Sequence, residues 1–200
     1  MSLQRRRPGA VFVDRDGVLC KNRPDHVKRW SEFEFIPGAI EAMASLTRAR
    51  FPLVIVTNQA VVGRGLLTMR TLESIHARMV DSLAAAGAEV SAVMVCPHHP
   101  DDECACRKPK PGMLLEAAEE LKLDLGSSFM VGDHESDIEA GAAAGCATVL
   151  VRSGRGRFAQ SAAGWESVEP DFVADDLIDA AIWIMGQRAV RVAGGLQPRR

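Results

Sequence analysis

A doubly wound α/β fold, a parallel sheet with helices on both faces, is what this 200-residue sequence predicts, and three observations predict it. Short β-branched apolar runs alternate with longer stretches of helical periodicity. The apolar runs are continuous rather than alternating, as strands covered on both faces are. The connections between them are long enough for crossover helices, which return the chain to the same strand direction. There is no internal repeat or low-complexity linker.

Taken in order, the first strand is expected over 10–14, where Ala10-Val11-Phe12-Val13 runs into Asp14. A helix over 38–50 is entered through Pro37-Gly38, residues suited to a first turn. Leu53-Val54-Ile55-Val56-Thr57 gives a second strand over 53–57. In the helix predicted over 68–87, Met69, Leu72, Ile75, Met79 and Leu83 fall at core spacing, and His76 is assigned to its surface. A third strand is expected over 91–96. Pro111 opens a helix over 111–122, then come a strand over 128–132, a helix over 135–145 and a strand over 147–151. A last helix spans 175–187, with Trp183 on its exposed side as a candidate dimer contact, beside Trp165 upstream. One domain, 10–187, is expected between an N-terminal tail over 1–9 and a loosely ordered tail over 188–200.

Composition excludes some classes. The chain is 47% apolar and 25% charged with a formal net charge of −2, so it lacks the basic bias of a nucleic-acid-binding domain, and Arg5 to Arg7 reads as a solvated tail. No stretch approaches the roughly 18 uncharged apolar residues a membrane span requires, and no signal-length apolar segment follows the N-terminus. A cytoplasmic protein is expected, a monomer or weak dimer with neither a membrane nor a nucleic-acid partner.

The chemistry lies at the carboxyl ends of the predicted strands, where open α/β sheets bind their ligands. A parallel sheet gathers Asp14, Thr57-Asn58, Cys96 and Asp133 on one rim. Acidic side chains are costly near a core unless a cation or a reaction uses them. Asp14, Asp16 and Asp133 offer hard oxygen ligands that suit Mg²⁺ completed by waters and a substrate phosphate. A second cluster, Cys96-Pro97-His98 followed by Cys104-Ala105-Cys106, has the C-x-H-x5-C-x-C spacing of a closed tetrahedral Zn²⁺ site, with His98 or the adjacent His99 as the imidazole. With no vacant position that zinc is structural, and it fixes the loop 96–106 that leads into Arg107 and Lys108. Cys20 and Cys146 read as isolated free thiols.

Four segments together resemble the signatures of the haloacid dehalogenase superfamily phosphatases: Asp14-Arg15-Asp16-Gly17-Val18-Leu19, Thr57-Asn58-Gln59, Lys108 within Arg107-Lys108-Pro109-Lys110-Pro111-Gly112, and Gly132-Asp133-His134-Glu135-Ser136-Asp137. Arg64-Gly65, the cysteine-histidine loop and Pro111-Gly112-Met113 make the chain most similar to the heptose 1,7-bisphosphate 7-phosphatases, near relatives of the histidinol-phosphate phosphatases. The resemblance implies a Rossmann-like sheet without a large cap domain, and a phosphatase that works through an aspartyl-phosphate on Asp14. Asp16 then acts as acid and base with a pKa near working pH, while Arg15 points elsewhere. Mg²⁺ is held by Asp14, the Asp16 carbonyl and Asp133, with Asp137 behind them or bound through water. Thr57 and the Asn58 amide donate to the phosphoryl oxygens, and Lys108 supplies charge and orients Asp14. Among the substrate contacts are Gln59 and Arg107, and the family motif places the zinc imidazole at His98. The loop Asn22-Arg23-Pro24-Asp25-His26 is expected to touch a sugar in an open site, although this loop and Ala60-Val61-Val62-Gly63 depart from the family pattern. The implied substrate is D-glycero-D-manno-heptose 1,7-bisphosphate. Its rivals are histidinol phosphate or another small phosphomonoester, and an inactive scaffold whose zinc knuckle binds a partner.

Overall fold

The protein is described by a computed structural model over residues 7–156 and 168–193. Within these, six strands form one sheet: β1 (Val11–Val13), β2 (Leu53–Asn58), β3 (Val90–Cys96), β4 (Phe129–Gly132), β5 (Ala147–Val151) and β6 (Phe172–Ala174). Their order is β3-β2-β1-β4-β5-β6 and every pairing is parallel. The helices are α1 (Ala39–Arg48), α2 (Ala60–Gly63), α3 (Met69–Ala85), α4 (Gly112–Glu120), α5 (Glu135–Ala144) and α6 (Leu177–Ala193).

Strand side chains alternate between faces, and both faces are covered. Val11 and Val13 of β1 join a core with Met43 and Leu46 of α1, Met79 and Leu83 of α3, and Leu177 and Ile184 of α6. Phe12 between them joins a second core with Met113, Leu114 and Ala117 of α4 and Ala140 of α5. This double burial is why the strands read as unbroken apolar runs. In register, Val13 lies beside Ile55 and Val131, so Asp14, Thr57 and Asp133 leave the sheet on one rim.

The structure departs from the expected elements in several places. β6 and the short α2 were not predicted. α6 continues to Ala193, past the expected end at 187 and into the segment read as a tail, while residues 1–6, 194–200 and Trp165 lie outside the described residues. Met69 stands at the first turn of α3, where it is 37% exposed rather than in the core. His76, expected on the surface, is 7% exposed. Trp183 is not on the open side of α6: it stacks on Phe172 at 4.9 Å and meets Phe129 edge-on at 5.9 Å. β6 brings Phe172 to the sheet edge and gives the indole a flat partner, and among the described side chains of α6 it is Ile178 and Ile182 that are exposed and apolar.

Candidate active site

Asp14 is the first residue after β1, buried, with its backbone amide bonded to the Val131 carbonyl at 2.9 Å. Facing it is Lys108, whose ammonium donates to Asp14 Oδ1 at 2.7 Å and to the Val56 carbonyl at 2.9 Å, and pairs with Asp137 Oδ1 at 2.7 Å. Three donors thus meet three acceptors, and the cation is spent inside the protein. Asn58 clamps the Lys108 backbone from both sides, donating through Nδ2 to its carbonyl at 3.1 Å and accepting its amide on Oδ1 at 3.2 Å. Asp137, on the first turn of α5, accepts the amides of Asp133 and His134 on Oδ2 at 3.2 and 3.1 Å, satisfying helix-start donors that would otherwise be orphaned.

Electrostatics follow from this crowding. Burial alone would depress the Lys108 pKa, but the charges of Asp137 and Asp14 hold it above its ordinary value. Burial raises the Asp14 pKa well above the carboxylate range; Lys108 opposes the shift, and Asp137, Asp133 and Asp16 add to it. Asp133 is raised by burial and by Asp137. Ligand oxygens of Asp14, Asp133 and Asp137 lie within 4.8 Å of one another. Three carboxylates with one ammonium between them form an oxygen donor set that a hard divalent cation fits.

Asp16 faces a different group. Arg15 forks onto it, Nε to Oδ2 at 3.1 Å and Nη2 to Oδ1 at 3.0 Å, while Gln59 Nε2 donates to Asp16 Oδ2 and to Thr57 Oγ1, both at 2.8 Å. The Cys20 thiol adds a contact to Oδ1 at 3.6 Å. The expectation that Arg15 points elsewhere holds for Asp14 and fails for Asp16. Burial would raise the Asp16 pKa, but Arg15 and the donors from Gln59 and Cys20 together hold it below the ordinary value, not near working pH as expected. Arg15 Nη1 lies 2.9 Å from His76 Nε2, and burial together with the Arg15 charge lowers the His76 pKa to about 3. Thr57 is fully buried at the end of β2, accepting from Gln59 and keeping its own hydroxyl hydrogen to donate.

The expected sugar loop divides. Asn22 turns inward and donates to Asp133 Oδ2 at 2.7 Å, whereas Arg23 and Asp25 pair with each other at 3.0 Å and His26 adopts a left-handed φ of 62°. The Arg155 amide donates to the same Asp133 oxygen at 2.7 Å, and Ser153 Oγ to the Gly17 carbonyl at 2.9 Å, so the turn after β5 closes this side of the rim. Sequence reasoning missed that turn, because its contact to Asp133 is made by a backbone amide and the other by a lone serine hydroxyl, neither of which leaves a pattern. On the opposite side, Arg107 carries a buried Nη1 without a hydrogen-bond partner.

Cys96 ends β3, and its sulfur lies 3.7 Å from His98 Nδ1 and 3.6 Å from Cys104 Sγ. Cys106 Sγ is 3.2 Å from His98 Nδ1 and 3.5 Å from Cys104 Sγ. Tetrahedral arms of about 2.3 Å to sulfur imply ligand separations of roughly 3.8 Å, so the four donors fit a structural Zn²⁺. His99 is used elsewhere, its Nδ1 accepting the Asp101 amide at 3.3 Å. Two glycines flank the loop: a Cβ on Gly63 would stand 2.3 Å from the His99 amide nitrogen, and one on Gly112 2.3 Å from the Ala105 carbonyl oxygen.

Known proteins resemble this chain in sequence and fold. A HAD-hydrolase-like family model matches residues 105–180. The D-glycero-β-D-manno-heptose-1,7-bisphosphate 7-phosphatase of Pseudomonas aeruginosa is 42% identical over 146 residues, 73% of this chain and 82% of that one. The enzyme of that name from Neisseria meningitidis serogroup A is 36% identical over 179 residues, covering 90% and 96%. The crystal structure of D,D-heptose 1,7-bisphosphate phosphatase from Bordetella bronchiseptica, complexed with magnesium and phosphate, superimposes with a TM-score of 0.84 at 40% identity, covering 90% of this chain and 99% of that one. Sequence and fold thus match those of one group of phosphoric monoester hydrolases, and the chain belongs to the heptose-1,7-bisphosphate 7-phosphatase family of HAD-like hydrolases.

Proposed function

We propose that the protein hydrolyses the 7-phosphate of D-glycero-D-manno-heptose 1,7-bisphosphate through an aspartyl-phosphate on Asp14. The observation that carries this reading is the convergence on Asp14 of Lys108 at 2.7 Å and of Asp133 and Asp137 within 4.8 Å. A magnesium ion held by Asp14, the Asp16 carbonyl and Asp133 would supply the positive charge that offsets repulsion between carboxylate and phosphate. The Asp14 carboxylate forms a bond to phosphorus as the bond from phosphorus to the sugar oxygen breaks. Asp16, held below the ordinary carboxylate value in the free protein, takes up a proton from solvent as the anionic substrate docks beside it and gives that proton to the departing oxygen. Asp16 then takes a proton from water as the water attacks phosphorus and frees Asp14. Lys108 fixes the plane of the nucleophile through Oδ1, and its three hydrogens are occupied, so it acts on the phosphoryl group through charge and not by direct donation. Thr57 keeps a hydroxyl donor for the phosphoryl oxygens. The unpartnered Nη1 of Arg107 supports a role in binding the second phosphate or a sugar hydroxyl.

Zinc on Cys96, His98, Cys104 and Cys106 would be structural, holding Arg107 and Lys108 at the rim. No described helix is long and apolar enough to cross a membrane, and five free cysteines suit a reducing, cytoplasmic setting. Phosphate release from heptose bisphosphates, histidinol phosphate and generic phosphomonoesters, with and without Mg²⁺, tests the reading. The expected result is highest kcat/KM for the heptose bisphosphate, with Asp14→Asn folded but reduced by on the order of 10⁴-fold or more. Preference for histidinol phosphate, or substantial turnover by Asp14→Asn, would refute it.

A further inference from the structure

Neither the nucleophile nor the cation site uses the largest fully buried side chain among the described residues, Arg15, which is 1% exposed. Burying a guanidinium is costly, and an apolar residue could fill the same space without that cost. What a guanidinium alone supplies is a planar fork, and here two of its nitrogens grip both oxygens of Asp16. The remaining polar contact, Nη1 to His76 Nε2 at 2.9 Å, fixes the imidazole's form. Arginine can only donate, so Nε2 accepts and the neutral ring carries its hydrogen on Nδ1. His76 itself is set by the packing of α3, where Leu72, Ile75 and Met79 occupy the same buried stripe. Gln59 completes the chain on the other side, joining Asp16 to Thr57.

We propose that Arg15 and His76 are positioning residues for the proton-transferring carboxyl of Asp16, with His76 acting through Arg15 at a distance of 61 positions in sequence. The fork sets which way Asp16 faces, and the imidazole sets where the fork sits. Without the acceptor on His76 the guanidinium can turn about its long side chain, and Asp16 loses its orientation toward the leaving oxygen. This rests on the reading of Asp16 as acid and base given above.

The test separates the two ideas by leaving group. For any phosphatase with a phosphoenzyme, kcat/KM reports the steps through departure of the leaving group. An aryl phosphate such as p-nitrophenyl phosphate needs little protonation there, whereas a sugar phosphate needs a proton. The quantity to measure is the ratio of kcat/KM for the best sugar phosphate to that for p-nitrophenyl phosphate. Asp16→Asn should lower this ratio by about 10²-fold or more. His76→Leu and Arg15→Lys, which remove the acceptor or the fork, should lower it about tenfold, and His76→Gln, which restores an acceptor oxygen, should return it to within about twofold. A merely structural role would lower both rates together and leave the ratio unchanged, which would overturn the proposal. Should His76→Leu not fold, Arg15→Lys decides alone by the same criterion. If the ratio is unmoved even in Asp16→Asn, it is the acid–base reading that fails, and the proposal falls with it. If only Asp16→Asn moves it, the positioning claim fails by itself.

Discussion

The acid rim and the cysteine loop meet at Arg107 and Lys108 but are held together by different means. The rim draws Asp14 and Asp133 from two strand ends, Asp137 from a helix start and Lys108 from a loop, and locks Asp14 and Asp137 to Lys108 with buried ion pairs at 2.7 Å. The loop draws all four of its ligands from eleven consecutive positions, 96–106, which approach one another at 3.2–3.7 Å with no ion pair among them. One is assembled by folding and the other waits for an ion. Damage to the rim should therefore reach the whole sheet, while damage to the loop should reach only the placement of two cations.

Lys108→Met is the largest test of that contrast. It leaves Asp14 and Asp137 buried without their cation, and should cost about 3–5 kcal/mol of stability by denaturant titration and roughly 10²- to 10³-fold in turnover. Cys106→Ser, or removal of zinc by a chelator, should lower turnover about 10²-fold by misplacing Arg107 and Lys108, with a global unfolding transition that moves far less than in Lys108→Met. Equal losses of stability in both variants would erase the distinction. A smaller effect comes from His76, whose folded pKa of about 3 lies below the ordinary 6.5. Between these values the unfolded chain binds the proton and the folded one does not, so stability rises with pH. Lowering the pH from 7.5 to 5.5 should cost about 1.4 kcal/mol at this residue, a slope that His76→Gln should remove. Smallest is Trp183→Leu, remote from both regions, which gives up a stacked and an edge-on ring pair and should cost about 1 kcal/mol without altering turnover.

Most of the fold was legible because both faces of the sheet are buried, so Val11-Phe12-Val13 and Leu53 to Val56 announce themselves as uninterrupted apolar runs. β6 is only three residues long, two of them partly buried and one buried, too little to carry a pattern. The rim acids were legible for a related reason: a carboxylate directly after such a run has few bland explanations. Arg15 and His76 were not, since their contact depends on tertiary packing. Yet His76 sits four residues after Leu72 and three before Met79, in the centre of the apolar stripe of α3, a spacing that would have put it on the buried face instead of the surface to which it was assigned. Gln59 shows the opposite limit: its motif suggested a substrate contact, and its side-chain amide is already engaged with Asp16 and Thr57.

The two glycines that press on the cysteine loop have a consequence for how this protein tolerates change. Gly63 and Gly112 contribute no atom to any reaction, yet a single methyl group at either would collide with main chain instead of with a side chain that could swing aside. Alanine there would displace the whole segment bearing the two cations, so a pair of positions with no chemistry of their own should be as intolerant of substitution as the nucleophile, and a mutational survey of activity alone would mistake them for catalytic residues.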